Sequence, residues 1–110
     1  MVRVNAAVKK HSLIHLSASG HAGAGYKGND IVCASVSLLL EAVCLGIESI
    51  PGIGISGGAY TEGELELRLL KIPADFAKEL EGITRVLLLG LKRLEDEYPG
   101  EIRLRIEELQ

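Results

Sequence analysis

The stretch VRVNAAVKKHSLIHLSAS, residues 2–19, decides how the rest of the chain is read. Val2, Val4, Ala6 and Val8 alternate with Arg3, Asn5, Ala7 and Lys9, the two-residue period of a strand with one buried face. Lys10-His11-Ser12 turns the chain, and Ile14, Leu16 and Ala18 then alternate with His15, Ser17 and Ser19. This predicts a second strand, hairpin-paired to the first. A hairpin with one apolar face needs an apolar layer to cover it, and the segments that follow supply one.

Asp30 is a favoured N-cap residue, and from Ile31 to about Ile50 the chain holds no proline and only Gly46 as a glycine, so a first helix begins near Cys33. Its apolar residues nearly surround the axis and leave one less apolar stripe at Cys33, Ser37, Glu41, Cys44 and Glu48. Such a helix is covered on most sides, with a second subunit supplying part of the cover. Glu41 and two serines interrupt the run, which falls short of the roughly 20 apolar residues of a membrane span.

Pro51-Gly52 stops this helix, and Ile53 and Ile55 lead through Ser56-Gly57-Gly58 toward Tyr60 as a glycine-weakened strand. Glu62-Gly63 makes a turn into a fourth strand, in which Leu65, Leu67 and Leu69 alternate with Glu64, Glu66 and Arg68. After Pro73, Phe76, Leu80, Ile83, Leu87, Leu91, Leu94 and Tyr98 trace one face of a long amphipathic helix that Pro99-Gly100 ends. Ile102, Leu104 and Ile106 alternate with Arg103, Arg105 and Glu107 as a last strand. The order ββαββαβ predicts an α+β, two-layer fold: a five-stranded, largely antiparallel sheet with two helices packed on one face, in one domain over residues 1–110.

The composition narrows the functions open to such a domain. A net charge of -3 argues against broad attraction to nucleic acid, and 4% aromatics with no Trp leave almost no platform for stacking bases. Two cysteines make no disulfide framework, and the N-terminal residues lack the apolar core of a signal peptide, so the expected compartment is the reducing cytoplasm.

Chemistry concentrates between residues 20 and 37. A thiol in the first turn of a helix feels the positive end of the macrodipole and ionises more readily than a free cysteine, which makes Cys33 a candidate nucleophile. His21 supplies a base, and a loop containing Gly23, Gly25 and Gly28 can fold back to bring imidazole and sulfur together. The residues alone leave alternatives open. Cys33 also reads as a small apolar residue of a buried helix, and His21 as the end of a strand. Asp30 is most economically the helix cap, although its carboxylate could orient His21. Ser37, one turn beyond Cys33, either hydrogen-bonds within the site or satisfies itself on its own helix.

Other sites fit less well. Gly23-Ala24-Gly25-Tyr26-Lys27-Gly28 matches G-x-G-x-x-G, but that fingerprint belongs to a βαβ unit, and here a hairpin precedes it. The glycines read better as a loop that closes over an extended substrate. His21, Asp30 and Cys33 lack the spacings typical of zinc ligands, so neither metal nor cofactor is assigned. Cys44 stands eleven residues from Cys33, about 16 Å along a helix, too far for a disulfide, and reads as packing. His11 and His15 receive no role.

Gly20-His21-Ala22, then Asp30-Ile31-Val32-Cys33-Ala34, then Val36-Ser37 resemble the signature of the bacterial ribosomal-processing cysteine protease family, Prp. The resemblance extends to the N-terminal strand pair, Gly57-Gly58 before a strand, the long second helix, and Tyr98-Pro99 before the last strand. It implies a catalytic dyad of His21 and Cys33, with Asp30 and Ser37 in support. It also implies a homodimer that removes the N-terminal extension of large-subunit ribosomal protein L-twenty-seven; together with the charge and hydropathy above, no direct nucleic-acid binding is required and no membrane is expected. Gly20, Gly23, Gly25 and Gly28 would belong to the substrate loop, where Gly23, Gly25 and Lys27 replace the acidic or bulkier residues frequent in the family. Two rivals need other chemistry: a non-catalytic ribosome-associated binding or assembly module, and a thiol hydrolase acting on a small acyl substrate.

Overall fold

A computed structural model describes residues 1–20, 31–58, 60–61 and 63–110. Five strands and two helices follow one another as β1 (Val2–Lys9), β2 (Ser12–Ser19), α1 (Ile31–Glu48), β3 (Gly54–Gly57), β4 (Glu64–Lys71), α2 (Ala77–Glu97) and β5 (Ile102–Leu109). The order is the ββαββαβ read from the sequence. A single 3-10 turn, Ala74–Phe76, leads into α2.

The strands form one sheet in the order β3-β4-β2-β1-β5. All neighbours are antiparallel except β1 and β5, which run parallel in register from Val2 opposite Ile102 to Lys9 opposite Leu109. The sheet is therefore mixed, and the parallel pair requires the long crossover through α2.

The core lies between one sheet face and the helices, built from Val2, Val4, Leu16, Leu65, Leu67 and Ile102 against Val32, Val36, Leu40, Ile47, Leu80, Leu87 and Leu91. With so few aromatics, aliphatic side chains fill it. α1 is long and apolar enough to cross a membrane by length and composition. Here, however, Val32, Val36, Leu40, Val43, Cys44 and Ile47 bury one side of it in this core.

The helices approach closely where glycine permits. A Cβ on Gly90 of α2 would stand 2.8 Å from Leu39 Cδ2 of α1, and one on Gly46 of α1 would stand 3.5 Å from Ile83 Cδ1 of α2. Since 39 pairs with 90 and 46 with 83, the two helices run antiparallel. α2 is tied to the sheet at two points: Leu104 N–H donates to Glu95 Oε2 at 2.7 Å, and Leu13 N–H donates to Thr84 Oγ1 at 3.0 Å.

Two details depart from the sequence reading. In β2 the register shifts, with Val8 opposite Leu13 but Ala7 opposite His15. This bulge leaves Ile14 out of the alternation and buries Leu13 in its place. β3 is shorter than the run to Tyr60, ending at Gly57. Finally, the single chain leaves Ile31, Leu38 and Leu45 of α1 65%, 70% and 66% exposed, and this part of the helix has no cover from its own domain.

Candidate active site

The connections explain why residues distant in sequence meet. β2 ends at Ser19, opposite Arg3 near the start of β1 and Glu64 at the start of β4, while β3 runs parallel to β2 two places away. The chain therefore leaves β2 at one end of the sheet, traverses it through α1, and returns along β3 to the same end. The segment after β3 meets α1 near its C-terminal end, where a Cβ on Gly58 would stand 3.3 Å from Glu48 Oε1.

Gly20 marks the exit from β2. Its φ is +95°, and a Cβ on it would lie 2.3 Å from the Met1 carbonyl oxygen. Only glycine passes this point without displacing the start of β1. Gly20 thus has a structural duty, fixing where the chain departs toward residue 21.

Cys33 is the third residue of α1, half-buried and packed against the core. That places its sulfur in the first turn of the helix. Ser37 follows one turn later, also half-buried. Its hydroxyl acts on the phenol of Tyr60 and lowers that group's pKa. Tyr60 was passed over in the sequence because tyrosine near a strand end ordinarily reads as packing; only the return of β3 reveals its neighbours.

Burial raises the Tyr60 phenol above its ordinary pKa, an effect that the Ser37 hydrogen bond opposes and negative charge on Cys33 and Glu41 reinforces. The phenol is therefore a neutral hydroxyl through the physiological range. Cys44 differs sharply from Cys33. It is 3% exposed, and burial, with Glu48 and Glu41 nearby, pushes its thiol up to about 11. Cys44 is an inert core residue, as its spacing suggested.

Of the site residues read from the sequence, the structure brings Cys33 and Ser37 together on one face of α1 and puts Gly20 at the same end of the sheet. His21, Asp30, Gly23, Gly25 and Gly28 lie outside the described residues. The histidines left without a role stay away from the thiol's helix turn: His11 is in the β1–β2 turn, and His15 pairs with Glu66 at 2.5 Å on the outer sheet face.

Comparison with known proteins gives this arrangement a family. No curated protein matched. A family model described as cysteine protease Prp matches residues 1–103. The chain is similar to an essential ribosomal processing protease Prp from S. aureus, solved with a covalently linked product peptide: identity is 27%, coverage is 97% of this chain and 100% of that one, and the TM-score is 0.81. With the same protease bound to a substrate peptide, identity is 25%, coverage again 97% and 100%, and the TM-score 0.75. SMU.848 from Streptococcus mutans shares the fold at 24% identity, with coverage of 99% and 96% and a TM-score of 0.78. A chain matched over residues 1–103, with a helix-entry thiol at the end of this sheet, belongs to the Prp family of cysteine proteases.

Proposed function

We propose that this protein is the endopeptidase that removes the N-terminal extension of large-subunit ribosomal protein L-twenty-seven during ribosome maturation. Cys33 is the nucleophile and His21 the general base. The observation that carries the reading is the position of Cys33, half-buried in the first turn of α1 at the end of the sheet where Gly20 releases the chain toward His21. The similar S. aureus protease, solved with product and substrate peptides, supports peptide hydrolysis and a ribosomal substrate.

In this mechanism His21 takes the Cys33 proton and the thiolate attacks the scissile carbonyl. N–H groups at the helix start stabilise the tetrahedral oxyanion, each well-placed donor contributing roughly 3 kcal/mol. His21 then protonates the departing amine, and water hydrolyses the acyl-enzyme. Asp30 and Ser37 support the dyad, and residues 22–29 receive the substrate.

The active form is a homodimer in the cytoplasm. Support for the dimer comes from the outer side of the helical layer, where Leu38 and Leu45 of α1 and Val86 and Leu89 of α2 are each at least 61% exposed. Such a patch on a small domain marks an interaction surface. Support for the compartment is the composition, in which two cysteines make no disulfide framework.

The test is to incubate the protein with precursor carrying the extension, alongside Cys33→Ala and His21→Ala. Wild type should release the extension and both variants should leave it in place. Equal amounts of uncut precursor with wild type and Cys33→Ala would refute the assignment, and retention of bound precursor without cleavage would favour a binding module.

A further inference from the structure

The sheet has a second face, turned away from both helices. Val2, Val4, Ala6, Leu16, Leu67 and Ile102 point into the core, so the residues that alternate with them point outward. Strand register sets those outward residues in rows. One row runs Arg103, Arg3, Ser19, Glu64, and the next runs Arg105, Asn5, Ser17, Glu66. A third runs Glu107, Ala7, His15, Arg68.

Charge on this face is sorted by strand. The β4 side holds its own counterions, since Glu66 pairs with His15 and lies 3.5 Å from Arg68. The β1 and β5 side does not. Arg3, Arg103 and Arg105 are exposed, and none belongs to an ion pair among the described residues. Arg3 and Arg103 lie opposite each other on strands about 4.8 Å apart, and Arg105 follows two residues, about 6.6 Å, along β5. Like charges set opposite each other weaken a sheet, so a chain of net charge -3 gathers three guanidiniums at a cost to its own fold. A polyanion laid across them removes that repulsion.

The surroundings of the arginines select the anion. Beside them stand Asn5, Ser17 and Ser19, with no apolar centre of the kind on which a protein partner would pack. No aromatic ring stands in these rows to stack the bases of a single strand. A membrane plane laid on the sheet would meet Glu64, Glu66 and Glu107 as well as the arginines. What fits is a narrow line of phosphates over β1 and β5: the backbone of a duplex, held by planar guanidiniums that grip phosphate oxygens in pairs. The small hydroxyl and amide side chains alongside suit the ribose 2′-hydroxyls that an A-form duplex displays in its shallow minor groove.

We propose that the face bearing Arg3, Arg103 and Arg105 docks the phosphate backbone of double-helical RNA without reading its sequence. The choice of RNA over DNA rests in part on the ribosomal substrate of the protease reading. Arg3 and Arg103 share the row of Ser19, next to the point where Gly20 releases the chain toward His21. Bound RNA therefore lies at the catalytic end of the sheet and holds the protease near a substrate attached to RNA, while cleavage itself needs none.

The test is fluorescence anisotropy of a short end-labelled RNA duplex over a series of KCl concentrations. Wild type should bind with a slope of log affinity against log salt of about -2 to -3, the release expected from three phosphate contacts. Arg103→Gln should reduce the slope by about one, and the triple glutamine variant of Arg3, Arg103 and Arg105 should lose binding. Arg93→Gln, exposed on α2, should bind as wild type does. All three positions of the triple variant are exposed, so its Tm and its cleavage of free precursor should stay at wild-type values. A DNA duplex, polyglutamate and phosphatidylglycerol vesicles, at equal negative charge, should each displace the RNA at least about threefold less well than unlabelled RNA duplex. Absence of salt-dependent binding by wild type, binding retained by the triple variant, or a competitor equal to RNA would overturn the proposal and leave the protease reading intact. Wild type that binds RNA but leaves free precursor uncut would refute the protease reading alone.

Discussion

Leu13 and Thr84, in β2 and α2, are joined by a hydrogen bond from the Leu13 N–H to Thr84 Oγ1 at 3.0 Å, while the Thr84 hydroxyl donates to the Leu80 carbonyl at 2.8 Å. Thr84 is 2% exposed and is the one buried polar residue among those described. The bulge at Ala7/Val8 takes the Leu13 N–H out of step with its neighbour strand, and the helix supplies the acceptor that the ladder does not.

Thr84→Val should therefore leave a buried N–H without an acceptor and destabilise the fold by about 1–3 kcal/mol, while Thr84→Ser should cost less. Urea unfolding with unchanged m-values checks this. Because Thr84 lies far along α2 from the thiol, Cys33 alkylation in the folded variant should match wild type. Stability equal to wild type in Thr84→Val would refute the role of the bond.

Gly20→Ala should be more damaging than a surface glycine substitution. The new Cβ meets the Met1 carbonyl oxygen at 2.3 Å in a left-handed backbone conformation, so the start of β1 or the exit of β2 must move. A loss on the order of 2 kcal/mol or more is expected. Precursor cleavage should fall further than stability explains, because the displaced segment leads directly to His21. A variant with wild-type Tm and turnover would contradict this.

The buried Cys44 thiol makes stability depend on pH in the alkaline range. Its pKa is about 11 in the fold against 9.0 for the unperturbed group. Below pH 9 both states hold the proton, and there is no effect. Between pH 9 and 11 the unfolded chain loses it while the native state keeps it, so stability falls as pH rises, by on the order of 2 kcal/mol across that window. Urea titrations of wild type and Cys44→Ala should show the difference between them shrinking from pH 9 to 11. A constant difference would show that Cys44 is not held protonated.

Leu38→Glu or Leu45→Glu should convert a dimer to a monomer. Both side chains are exposed in the single chain, at 70% and 66%, so the substitutions leave the core intact. If these leucines are buried at the centre of the subunit contact, dimer dissociation should strengthen at least about 30-fold, the effect of a ~2 kcal/mol hot spot. Sedimentation equilibrium measures it. An unchanged mass distribution would place the subunit contact elsewhere or remove it.

The element order and sheet class were legible because strand and helix periods stand clear in the sequence. β4 is the clearest case, with Leu65 and Leu67 buried between exposed Glu64, Glu66 and Arg68. What misled was local. A bulge is invisible to a period-two pattern, so Ile14 was read as core in place of Leu13. Ile106 fits the alternation of β5 yet is 46% exposed, because the facing part of α2 carries Gly82 and leaves a groove of about 410 Å³. In α1 the stripe of Cys33, Ser37, Glu41, Cys44 and Glu48 divides between core and solvent, and the exposed large apolar side chains are Ile31, Leu38 and Leu45.

The site was legible only along the chain. Gly20, Cys33 and Ser37 are close in sequence, and their chemistry follows from strand end and helix start. Tyr60 comes from beyond Gly57 and Gly58, and a reading of adjacent residues has no means to connect it with Ser37. That contact depends on β3 returning parallel to β2, a property of the sheet order rather than of any motif.

The parallel pairing of β1 with β5 also has a consequence for synthesis. β1 sits inside the sheet, yet one of its two neighbours is made last, so every hydrogen bond along that side waits for residues 102–109. Contacts of such long sequence separation slow folding. A nascent chain that already carries Cys33 and Tyr60 still exposes an unpaired strand edge, and the protease matures as a unit only after its final strand has been translated.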